Sequence, residues 1–174
     1  MKKVEHGKTF DRNAANPPAF EIFHNTVTEG YPEHWHTAIE IIMPTRGEYE
    51  VVVGKDSYNL KEGDIIMINS GVVHGMRFVS QGERIVMLVE PGCVENQEEM
   101  ETIFLRLPAI YFKKEDEEDP FYLFLRSQIL ELVREYDNEG AVMTHRICTG
   151  LKELFQSLAA RAFRMPTRRI RSGQ

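Results

Sequence analysis

The chain predicts a mainly β fold, a closed barrel or sandwich, followed by an antiparallel pair of helices. Three observations predict it. Short β-branched runs separated by turn residues fill residues 20–89; apolar residues at helical spacing fill much of residues 120–164; the change from one period to the other begins at Pro91. With 174 residues, 42% hydrophobic and 28% charged, the chain can bury one sizeable core.

Taken in order, residues 1–19 form an N-terminal arm. Its start, "MKKVEHGKTFDRN", is basic but lacks the apolar stretch of an export signal. No later run approaches the roughly 20 apolar residues that a membrane-spanning helix needs, so no membrane role is expected. Residues 20–92 are the expected barrel. "IEIIM", "YEVVV", "SYNL", "DIIMI", "MRFV" and "RIVMLV" are strand-sized, and Gly47, Gly54-Lys55-Asp56, Gly63, Gly71 and Gly82 punctuate them. In "EYEVVVGKDSYNL", Tyr49, Val51 and Val53 alternate with Glu48, Glu50 and Val52, the pattern of a half-buried strand entering a hairpin. "DIIMI" is continuously apolar, as a strand crossing the middle of a sheet would be.

Residues 93–119 read as a connecting segment. "ENQEEMETIFLRL" can hold a short helical turn, and the charge run "KKEDEED" is a solvated acidic loop. In residues 120–164, Phe121, Phe124, Leu125, Ile129, Leu132 and Val133 recur at three and four, and Asn138-Glu139-Gly140 can end that helix. A second helix, capped by Thr144, carries Ile147, Leu151, Leu154, Phe155, Leu158 and Ala159 on one stripe. Ile129, Leu132, Val133, Leu151, Leu154 and Leu158 are candidates for a seam between two copies of the chain; covering the barrel would use the same stripe. Residues 165–174 are a basic tail.

Charge limits the partners. The net charge is -6, yet residues 161–174 hold five arginines and no acid, leaving 16 basic against 27 acidic residues in the body. Such a body is a poor match for nucleic acid, whose phosphates require a cationic surface. Cys93 and Cys148 are far apart in sequence without C-x-x-C spacing, which points to neither a disulfide framework nor a cysteine zinc site and agrees with a cytoplasmic setting.

The stretch "EHWHTAIE" carries the chemistry. His34 and His36 are two apart, so on a strand both side chains leave one face. Glu40 shares their parity, but six residues of straight strand span about 20 Å, so the chain must bend at Thr37-Ala38 for all three to meet. His74, after the apolar strand and the Ser70-Gly71 turn, supplies a third imidazole. Three imidazoles and a carboxylate suit one divalent transition metal ion, Zn, Ni, Fe, Cu or Mn, and disfavour calcium. Met43, Met67, Met76 and Met87 are candidates for a pliable ligand pocket or for gap filling in the core, and Phe78 for an apolar patch at the barrel mouth. Trp35, between the histidines, should point the other way and pack in the core or against the helices rather than stack on a ligand.

Gly30, then His34-x-His36, Glu40 and Gly47 resemble the first motif of the cupin superfamily; Gly63, Asn69, Gly71 and His74 resemble the second, G-x5-P-x-G-x2-H-x3-N. Asn69 stands where proline is usual, Phe78 where asparagine is usual, and Gly30 sits two residues closer than is common. The resemblance implies a double-stranded β-helix, or jelly roll. Within cupins, the stretch from His34 to Met76 looks most like the N-terminal domain of AraC-type transcriptional regulators. That likeness implies a barrel that binds a small-molecule effector, trailing helices that form a homodimer, and DNA binding confined to a C-terminal helix-turn-helix domain absent from this chain. An effector that favours one barrel and helix arrangement would then shift the geometry between dimer partners. The alternative is a free-standing metal-dependent cupin enzyme of the dioxygenase or sugar isomerase type, with His34, His36, Glu40 and His74 as metal ligands. No general acid or base is evident on the neighbouring strands.

Overall fold

Turn glycines and alternating apolar residues dictate how the strands pair. The computed structural model describes residues 19–26, 30–93, 108–114, 118–138 and 143–164. Among them are nine strands: β1 Phe20–Asn25, β2 Tyr31–His34, β3 Ile39–Arg46, β4 Tyr49–Val53, β5 Asp56–Leu60, β6 Ile65–Ile68, β7 His74–Phe78, β8 Glu83–Val89 and β9 Ala109–Phe112. They form two antiparallel sheets, a five-stranded one in the order β1-β8-β3-β6-β9 and a four-stranded one in the order β2-β7-β4-β5. Two helices follow, α1 Pro120–Asp137 and α2 Met143–Arg164. The architecture is the jelly-roll sandwich with an appended helix pair that the sequence predicts.

The six sequence runs expected as strands correspond to β3 through β8. The hairpin between β4 and β5 turns on Gly54, whose φ of +59° is open to glycine at little cost. Three strands, β1, β2 and β9, are additional. The last lies in the segment read as a connection: "AIYF" pairs with β6, from Ala109 against Ile68 to Phe112 against Ile65. Four residues are too few to show a period. The helical turn expected in "ENQEEMETIFLRL", the middle of the acidic loop and the basic tail lie outside the described residues.

The five-stranded sheet is buried on both faces. Ile39, Ile41 and Met43 of β3, Ile65 and Met67 of β6, and Ile85, Met87 and Val89 of β8 pack with the helices. Ile42 of β3 and Ile66 and Ile68 of β6 face inward, where they meet Tyr49, Val51, Val53, Leu60 and Met76 of the opposite sheet. This division accounts for "IEIIM" and "DIIMI": a strand walled on both sides has no polar face to show.

α1 starts where Asp119 accepts a hydrogen bond from the Phe121 amide at 2.9 Å, with Pro120 in the first turn. It buries Tyr122, Leu125, Ile129, Leu132 and Val133, and the Tyr122 hydroxyl donates to the Gly63 carbonyl at 2.8 Å, tying the helix to the turn before β6. Arg146 of α2 pairs with Glu135 of α1 at 3.0 Å, and Leu132 lies against Gly150, where an added Cβ would sit 2.9 Å from Leu132 Cδ2. These partners climb one helix as they descend the other, so the pair is antiparallel, and the small residue at 150 sets its close approach.

The stripe expected as a possible seam between copies is accounted for inside the chain. Ile129, Leu132, Val133, Leu151, Leu154 and Leu158 are all buried in the core between the helices and the five-stranded sheet. The sheet's outer face is itself apolar and needs that cover. Each such side chain contributes about 1.5–3 kcal/mol by leaving water.

Cys93 and Cys148, distant in sequence, meet in space. Their sulfurs are 3.1 Å apart, joining the 3-10 turn Pro91–Cys93 to α2. Burial and the neighbouring thiol of Cys148 push the Cys93 thiol up to about 12.

Candidate metal centre

Local geometry assembles the four polar residues. The Ser70-Gly71 turn is held by the Gly71 amide donating to the His36 carbonyl at 2.8 Å, and it delivers His74 as the first residue of β7. There His74 lies directly across from His34 of β2. Between β2 and β3 the chain bends at Thr37-Ala38, as the spacing of His36 and Glu40 requires. Thr37 pins the bend by donating to the Glu90 carboxylate at 3.1 Å.

Glu40 Oε2 lies 2.9 Å from Nε2 of both His36 and His74. One ligand atom from each of His34, His36, Glu40 and His74 falls within 4.8 Å of all the others. His36, Glu40 and His74 are buried, while His34 is partly exposed at the edge of the cluster. Each imidazole directs its Nδ1 at a backbone carbonyl: His34 to Pro32 at 3.0 Å, His36 to Ala38 at 2.9 Å and His74 to Val72 at 2.8 Å. That fixes the ring orientations and leaves Nε2 as the nitrogen for a ligand, the outer-sphere arrangement typical of metal-binding histidines.

Burial pushes the Glu40 carboxyl up, but hydrogen bonds from His36 and His74 outweigh it and hold the group down at about 2. Burial lowers His74, yet the hydrogen bond and charge of Glu40 carry it above its ordinary value. His34 is lowered, first by burial and then by the neighbouring His74 and His36. A carboxylate ionised near neutral pH among directed imidazoles is the chemistry a borderline divalent cation takes, so the residues fit such an ion.

The other candidates divide by strand parity. Met76 faces the interior with the cluster's own strands, whereas Met43, Met67 and Met87 lie on the opposite face of their sheet, packed under the helices. Even and odd positions of one strand cannot share a face, so these three are core residues rather than pocket lining. Phe78 ends β7 across from Tyr49, and its side chain lies outside the described residues. Trp35 is 55% exposed: it turns from the buried histidines as expected, but into solvent rather than into the core or against the helices.

Two residues escaped the sequence reading. Asp64 is buried and accepts from the amides of Lys61 and Lys114 and from the Tyr111 hydroxyl at 3.0, 2.8 and 2.6 Å, so the "GD" turn is a structural anchor. Arg84, the one cation of "RIVMLV", is only 3% exposed, with its guanidinium 4.7 Å from the centroid of the Tyr49 ring. Burial pushes it below its usual value against the raising pull of Tyr49 and Glu40. A lone charge within the otherwise apolar run "RIVMLV" was the available signal.

Residues 25–90 match the family model described as Cupin domain. No curated protein sequence matches the chain. Among solved structures, the AraC-like transcriptional activator CuxR aligns with a TM-score of 0.60 at 11% identity, covering 89% of this chain and 56% of that one. Apo ToxT of Vibrio cholerae aligns with a TM-score of 0.54 at 9% identity, covering 85% of this chain and 58% of that one. The chain thus spans little more than half the length of either. No helix among the described residues is long and apolar enough to cross a membrane. The chain therefore carries a cupin domain over residues 25–90, set in a barrel and helix fold that it shares with AraC-like regulators.

Proposed function

We propose that the chain is the effector-binding and dimerisation part of an AraC-type transcriptional regulator working in the cytoplasm, with DNA contacted by another part of the assembly. The observation that carries this reading is the extent of the likeness to CuxR: it runs through the barrel and on through the helix pair, over 89% of the chain. The acidic body supports it, since -6 overall is a poor charge for gripping phosphates directly.

In this reading the barrel interior receives a small molecule, and the five-stranded sheet relays its presence, because the same strands line the interior and seat the helices. An effector acts only through its different affinity for two arrangements of these layers. With the apolar stripe buried, dimerisation falls to the outward face of α1, where Leu123 and Leu130, seven residues apart, are exposed. Light scattering at micromolar concentration tests this: a dimer is expected, reduced to a folded monomer by Leu123→Glu with Leu130→Glu. A wild-type monomer across the whole range would remove dimerisation by this chain.

A second reading, a metal-dependent cupin enzyme, is favoured by the four-residue cluster. His34, His36, Glu40 and His74 would hold a divalent transition metal ion, which when bound supplies Lewis acidity to an oxygen ligand. Buried Glu40 offers charge, and the Nδ1 contacts hold the imidazoles in position. Elemental analysis of protein purified without chelating resin separates the cases: a stoichiometric ion lost in His74→Ala supports a metal centre, and a metal-free wild type with unchanged stability in that variant discards it.

A further inference from the structure

Arg84 projects from β8 into the space between the two sheets. Its strand neighbours Ile85 and Met87 face the helices, so alternation turns residue 84 inward. Its Nε and Nη1 are buried, and neither has a hydrogen-bond partner among the described residues. Tyr49 covers one face of the guanidinium, and its hydroxyl, which makes no well-formed hydrogen bond among the described residues, lies near enough to the guanidinium to raise its pKa. An arginine remains charged in any protein environment, and a buried charge without paired hydrogen bonds is costly enough that structures rarely keep one. The nearest acid on the same side, Glu40, is already engaged by His36 and His74. The interior thus presents a cation with unused donors, beside Tyr49 and the apolar cluster it packs in, which includes Ile42, Val51, Ile66 and Met76.

We propose that Arg84 is the anchor of an anion-binding site inside the barrel, and that the ligand is a small monocarboxylic acid with an apolar body. The inference rests on the reading of the barrel as an effector container, and it names the effector's chemical class. A carboxylate matches the planar fork of the guanidinium with two parallel hydrogen bonds. A phosphate dianion suits the site less well: one guanidinium balances one charge, and Glu40 adds repulsion. The apolar lining accepts the rest of the molecule, while Tyr49 holds the guanidinium plane from one side and directs binding to its edges.

The test is calorimetric titration and thermal shift of the full chain with benzoate, cyclohexanecarboxylate and hexanoate against benzamide, cyclohexanecarboxamide, hexanamide and a neutral pentose. At least one acid should bind wild type while its amide does not, and Arg84→Met should weaken that acid by about tenfold to a hundredfold. Arg84→Lys, which keeps the charge and loses the fork, should fall between. Should either variant fold poorly by circular dichroism, the contrast of acid with amide on wild type still decides. Amides or pentose binding as well as the acids, or an acid binding Arg84→Met like wild type, overturns the anion site and leaves the container reading standing. If nothing in the panel binds wild type, both are overturned.

Discussion

The two sheets of this molecule are built by different rules. The five-stranded sheet has apolar neighbours on both sides, the helices without and the opposite sheet within. The four-stranded sheet keeps one face in water, where Glu50 of β4 meets Ser57 and Arg77. The candidate metal centre draws on both: Glu40 comes from the enclosed sheet, His34 and His74 from the solvated one, and His36 from the bend between them. The enclosed sheet therefore places the carboxylate that is hardest to bury, and the solvated sheet supplies imidazoles, of which His74 is buried and His34 partly exposed.

Substitutions can break or sharpen that contrast. The largest effect is expected from Leu151→Asp with Leu154→Asp, which puts two carboxylates against the enclosed sheet; circular dichroism should show no cooperative melting transition. A folded monomer instead would mean that the stripe is not part of this core. Next, Ile41→Ala beneath the helices should cost about 2–5 kcal/mol in urea denaturation, whereas Val52→Ala on the half-buried outer face of β4 should cost less than about 1.5 kcal/mol. Equal losses would erase the distinction between the sheets.

Glu40→Gln comes third, at about 1–3 kcal/mol near neutral pH in metal-free protein. Its pH dependence has a definite sign. The carboxyl sits at about 2 in the fold against an ordinary 4.5, so its contribution is complete above about 4.5 and disappears as the pH falls toward 2. Denaturation midpoints for Glu40→Gln should be flatter than wild type across that acid range; parallel curves would show that Glu40 is not held by the imidazoles. The smallest effect is expected from Arg77→Ala at the exposed pair with Glu50, which should leave the midpoint unmoved within error.

The residues differ in how plainly they announced themselves. His34, His36, Glu40 and His74 could be grouped from sequence because spacing, parity and one obligatory bend leave few ways for them to meet. Strands β3 through β8 were legible because turn residues bracket them. β9 was not, since four residues between a proline and a charge run carry no period. The methionines show a different limit: in a strand apolar at every position, sequence cannot say which parity faces inward. Only Glu40, by its company with histidines, marks the inner face of β3, and counting from it places Met43 under the helices. Arg84 could have been found by the same count along β8. The cysteine pair could not, because its meeting depends on where α2 docks.

The double burial of β3 makes its length a fixed quantity. Removing Ile41 would rotate every later side chain of the strand by half a turn, sending Met43 into the space between the sheets and Ile42 beneath the helices. A residue added beside Lys55 would instead only lengthen a hairpin tip in water, where chain length is cheap. Natural variation in this molecule should therefore collect at the tips of the solvated sheet, and the eight residues from Ile39 to Arg46 should change in kind but never in number.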